Sequence, residues 1–91
     1  MRVLIINRQE RARSLDTLYE GLIALNPGSR MIKLSKEEIR DLPRTLSNLD
    51  TSGYERVLFD IPLRRAAHAF DSVRALPGLV YYEEDAYQEF M

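Results

Sequence analysis

Residues 2–7 read Arg-Val-Leu-Ile-Ile-Asn, RVLIIN, an unbroken aliphatic run rich in β-branched side chains and bounded by polar ones. A strand with one wet face alternates apolar and polar residues. A strand covered on both faces, as in a parallel sheet, does not. This stretch therefore predicts a central strand of an α/β protein, and the rest of the chain can be read outward from it. Downstream, in RQERARSLDTLYEGLIALNPGS, the residues Leu15, Leu18, Tyr19, Leu22 and Ile23 recur at helical spacing, and Asn26-Pro27-Gly28 supplies a stop.

RMIKLS is a second, shorter strand. Ser35 and Glu38 have capping-box spacing, with Ile39 and Leu42 on the inner face of the helix they open and Pro43 breaking the run. RTLSNLDTSGY reads as a helical turn and a loop, and YERVLFDI as a third strand centred on Val57-Leu58-Phe59. Pro62 suits the start of the next helix, whose apolar stripe is Leu63, Ala66, Ala67, Phe70 and Val73, with His68 on its solvent side. Pro77-Gly78 ends it, and Leu79-Val80-Tyr81-Tyr82 is a fourth strand followed by the acidic run Glu83-Glu84-Asp85 and a helix start. Strands alternating with helices through short connections require right-handed crossovers. The expected fold is a small open parallel sheet of about four strands with helices on both faces, Rossmann-like or flavodoxin-like, within a single domain spanning residues 1–91.

Composition narrows the function. With 45% hydrophobic and 30% charged residues the chain is an ordinary globular one. Its formal net charge of −1, without a basic block or interleaved aromatic and basic residues, argues against a nucleic-acid partner. The absence of cysteine excludes disulfides and thiolate chemistry, and a single histidine leaves a metal site to be built from carboxylates. No apolar run approaches the roughly 20 residues that span a bilayer. The opening MRVLIINRQE has too short an apolar stretch for a signal peptide, so a cytoplasmic location is expected. Attachment to a membrane surface as part of something larger stays open.

Ligands of open parallel sheets bind beyond the carboxyl ends of the strands, where strand order reverses. Those positions are Asn7 and Arg8, Ser35, Asp60, and Glu83, Glu84 and Asp85. The loop after the first strand, NRQERARS, lacks the glycines that let a backbone approach a pyrophosphate, and no P-loop is present, so no nucleotide cofactor is indicated. Arg8, Arg11 and Arg13 can hold a phosphate through their side chains, or simply form a solvated first helical turn. Asp60 stands where a receiver domain carries its phosphoacceptor, but Asn7 and Arg8 replace the acidic pair that binds magnesium there; as a helix N-cap Asp60 needs no chemistry. Glu83, Glu84 and Asp85 can bind a cation or act as general base, or can complement a helix dipole.

LVYYEEDAYQEFM following LPG, together with the opening MRVLIIN, resembles the amino-terminal half of two-domain, GT-B glycosyltransferases that assemble bacterial lipopolysaccharide and polysaccharide. In that family two Rossmann-like halves face each other across a cleft, and the amino-terminal half mainly receives the acceptor. The resemblance implies a domain that is inactive alone, with a sugar acceptor and a nucleotide-sugar as partners of the full protein. Asn7, Arg8 and Arg11 would lie on the acceptor or phosphate side, with Asp60, Glu83, Glu84 and Asp85 as catalytic candidates near the same rim. The chain departs from the family in having no glycine after the first strand and no donor-binding half. Two other readings stand beside this one: a receiver-like interaction module without a phosphoacceptor, and a small enzyme with an acidic metal site. The fourth strand, lacking charge and proline, makes a poor sheet edge. Either it is covered by more of a longer polypeptide, or it pairs two copies as a homodimer.

Overall fold

The computed structural model describes residues 1–9 and 13–81. Its elements are β1 (Val3–Arg8), α1 (Arg13–Leu25), β2 (Arg30–Leu34), α2 (Lys36–Arg40), α3 (Leu42–Ser47), β3 (Arg56–Phe59), α4 (Leu63–Ala66), a 3-10 turn (Ala67–Ala69), α5 (Phe70–Arg74) and β4 (Leu79–Tyr81). The four strands form one sheet in the order β2-β1-β3-β4, and every pairing is parallel. The α/β fold read from the sequence is the fold observed, with strand order reversing between β1 and β3.

The pleat sorts the aliphatic run of β1 onto two faces. Leu4 and Ile6, with Leu34, Val57 and Phe59, enter a large core beneath the helices α2 to α5. Val3 and Ile5 meet Tyr19 of α1 on the other face, joined by the half-buried Leu22, Ile23, Met31 and Leu58. Phe59 is fully buried and its ring lies 5.7 Å from that of Tyr81. Removing such a side chain from water contributes about 1.5–3 kcal/mol.

Local signals set the element ends. Ser35 and Glu38 form the expected reciprocal capping box at α2. Pro43 ends that helix and sits in the first turn of the next, α3, where its missing N–H costs nothing. Gly78, at φ +53°, turns the chain into β4, and a Cβ there would stand 2.2 Å from the carbonyl oxygen of Glu55. Only glycine fits that approach.

Four side chains expected on buried stripes are exposed, three of them on one helix. The helix expected after Pro62 is broken by the 3-10 turn, and the buried positions are Ala66, Ala69, Val73 and Leu76. That stripe keeps helical spacing and leaves Leu63 and Phe70 exposed, at 47% and 56%, and Ala67 exposed too. Leu18 of α1 likewise points outward, because Tyr19 takes the place against the sheet. His68 is exposed, as its position outside the stripe predicts.

Candidate functional site

Strand parity places Asn7 of β1, Lys33 of β2 and Asp60 just past β3 on the α1 face, near the strands' carboxyl ends. Asn7 and Lys33 are register partners, and the backbone N–H of Asp60 donates to the carbonyl of Ile6 at 2.9 Å. Helix α1 crosses above them and supplies Asp16 and Tyr19, spaced i, i+3 on one side of the helix. A layer of polar side chains results where the apolar part of that face ends.

Asn7 is completely buried and its amide is used at both ends. Its Nδ2 donates to Asp16 Oδ1 at 3.3 Å and approaches Met31 Sδ at 3.8 Å, while its Oδ1 accepts from the Arg8 backbone N–H at 2.8 Å. Lys33 Nζ donates to the other carboxylate oxygen of Asp16 and forms an ion pair with it. The hydroxyl of Tyr19 donates to Asp60 Oδ2 at 2.5 Å, and both residues are buried. Burying these groups is tolerable because each has a partner.

The chemistry open to this arrangement is positioning. Asn7 fixes the backbone turn that leads into Arg8, and Asp16 holds the Lys33 ammonium at the rim, where the side chain keeps 34% exposure. Arg8 is half-buried at the end of its strand. Asp60 is 2% exposed and turned toward Tyr19, and the N-cap position of α4 is held by Pro62, which leaves that cap without a side-chain bond. Arg11, Glu83, Glu84 and Asp85 lie outside the described residues, as does Tyr82. Among the described residues no group of three or more His, Asp or Glu is placed to hold a metal ion. The hydroxyl and backbone N–H of Ser52 hold the carboxyl of Asp50 below the usual range. It lies in the turn before β3, at the opposite end of the sheet from Asn7 and Asp60.

The partnership of Asp16 and Tyr19 with the strand ends was missed from sequence, where Tyr19 entered only as an apolar position. The available signal was an acid and a tyrosine one turn apart on the sheet-facing side of a helix, above strands that end in Asn7, Lys33 and Asp60.

Comparison with family models, with curated proteins and with solved structures gives no match. No helix among the described residues is long and apolar enough to cross a membrane.

Proposed function

We propose that this chain is the amino-terminal, acceptor-side domain of a cytoplasmic, sugar-nucleotide-dependent glycosyltransferase of polysaccharide or lipopolysaccharide assembly, inactive by itself. The observation that carries the reading is the resemblance of MRVLIIN and of LPG-LVYYEEDAYQEFM to such domains. It is supported by a parallel sheet whose order reverses between β1 and β3, the place where open α/β sheets receive ligands. Under this reading Asn7, Asp16 and Lys33 stiffen the rim on which an acceptor rests, with Arg8 beside it. The nucleotide-sugar belongs to a second domain, and the whole enzyme works at or near the membrane that carries its acceptor.

The test follows nucleotide release from a panel of nucleotide-sugars with polysaccharide and lipid-linked acceptors. It compares the natural polypeptide that contains this sequence with the 91-residue chain. Acceptor-dependent release by the former and none by the latter is the expected result. Failure of the natural polypeptide to release nucleotide from any donor would overturn the activity, and release by the 91-residue chain would overturn its inactivity alone.

A second reading draws on a different observation. Asp60 stands where a receiver carries its phosphoacceptor, yet it is buried against Tyr19, and among the described residues the fourth strand is an outer one without charge. A receiver-like interaction module without phosphoacceptor chemistry fits those two features.

A further inference from the structure

Among the described residues one helix, α1, covers the Val3 and Ile5 face of the sheet, and it packs on β1 and β2. The opposite face carries α2 to α5. On the α1 side β3 and β4 are therefore less covered: Leu58 is half-buried there, and its register partner Val80 is 43% exposed. The flank of α1 beside them is apolar. Leu18 and Leu25, exposed at 64% and 82%, line with Leu22 and Leu58 a groove of about 560 Å³. Gly21 lines it too, in mid-helix, where glycine is less favourable than alanine. A Cβ at that position would meet nothing within 4 Å, so the contacts in the structure do not call for glycine. Close approach of another backbone does.

We propose that the groove receives the segment that follows β4, residues 82–91, as an amphipathic helix laid alongside α1. β4 runs parallel to β3 and β1, so the chain leaves it at the end of the sheet where α1 begins. A helix turning back from there runs beside α1 in the same direction. The sequence has the pattern this requires. On a helix begun at Glu84, the residues Ala86, Tyr87, Phe90 and Met91 share one side, and Glu84, Asp85, Gln88 and Glu89 the other. Acids in the first turn also suit the positive end of the helix dipole. At about 1.5 Å per residue, Ala86 to Met91 spans about 8 Å against about 10 Å from Leu18 to Leu25. The other face of β4 offers less, since Leu79 and Tyr81 are already half-buried and the groove there is about 380 Å³. A second copy offers the same helix only at its bulk concentration, whereas a segment that starts directly after Tyr81 has a far higher effective one. The inference concerns the α1 layer and is independent of the acceptor-domain reading, which concerns the strands' carboxyl ends.

Proton–proton NOEs in the 91-residue chain test it. Contacts are expected from the rings of Tyr87 and Phe90 to the methyl groups of Leu18, Leu22, Leu25 or Leu58. Phe90→Asp is expected to abolish them and to shift the methyl resonances of Leu22 and Leu58, while the NOEs of Tyr19 to Val3 and Ile5 remain. Gly21→Leu, which fills the groove from α1, is expected to do the same. No contact from either ring to those methyl groups would overturn the proposal. So would contacts to Leu63 and Leu79 instead, which would place the segment on the opposite face. Contacts seen only between differently labelled copies would overturn it as well, because the occupant would then be a second chain.

Discussion

Among the described residues β2 and β4 are the two outer strands of one sheet, and they are secured in different ways. β2 is tied by polar groups at both ends. Before it, the Ser29 hydroxyl accepts from the Val3 backbone N–H at 2.8 Å, and the Arg2 guanidinium donates to the carbonyl of Gly28 while lying over the ring of Tyr54. Toward its far end, Lys33 is paired with Asp16 of α1. The strand also carries Arg30, and the charges of Arg30 and Lys33 discourage a further strand. β4 is held from its inner side, by Phe59 against Tyr81 and by the Tyr81 hydroxyl on the carbonyl of Ile61. Its outer side has no such charges. The contrast is between an outer strand held by charged and polar ties and one held by its inner packing, and each half of it can be tested.

The largest effect is expected from Phe59→Ala. The ring is completely buried and supports β4 through Tyr81. Its loss is expected to cost about 3–5 kcal/mol in urea-induced unfolding, removed contacts and residual cavity together. For a domain of this size that is a large share of its stability. A loss below about 1.5 kcal/mol, the low end for burying one such side chain, would mean that β4 does not depend on the core beneath it.

Lys33→Ala addresses the other edge. It leaves Asp16, whose side chain is 12% exposed, with Asn7 but without its cation. Hydrogen bonds to charged groups contribute about 1.5–3 kcal/mol, and the partial exposure of Lys33 reduces the expected loss to about 1–2 kcal/mol. The loss should shrink in high salt, as an ion pair reached by solvent requires. A loss indifferent to salt would show that the lysine stem, packed along the strand, matters more than its charge.

How much of this could be read from sequence depends on the range of the interaction. β1 was legible because an aliphatic run with no alternation has few other homes, and the capping box at Ser35 and Glu38 was legible because it is local. The exposed Phe70 was not, since Ala69 and Phe70 are both apolar and adjacent, and the sequence does not say which of them the sheet takes; it takes Ala69. At the candidate site Asn7 and Asp60 were selected by position alone. Their partners were hidden because Asn7 meets Asp16 and Asp60 meets Tyr19 only after α1 has crossed the sheet, and Tyr19 and Asp60 are 41 residues apart. A tyrosine in an apolar stripe also looks the same whether its hydroxyl ends in water or on a buried carboxylate.

The smallest effect is expected from Tyr81→Phe, and it bears most closely on the contrast between the edges. The substitution keeps the ring against Phe59 and removes the hydroxyl that donates to Ile61 at 2.7 Å, a bond in a partly buried setting. The expected loss is about 1 kcal/mol, the net worth of one such hydrogen bond with its carbonyl left to find water. A loss near zero would show that β4 is held by apolar packing alone, and the difference from β2 would be sharper than drawn above. A loss above about 2 kcal/mol would place β4 among the strands anchored by polar ties, because the penalty would then be that of a buried carbonyl left unsatisfied. In that case the two edges would share one means of attachment, and the difference between them would lie only in the charge that β2 presents outward and β4 does not.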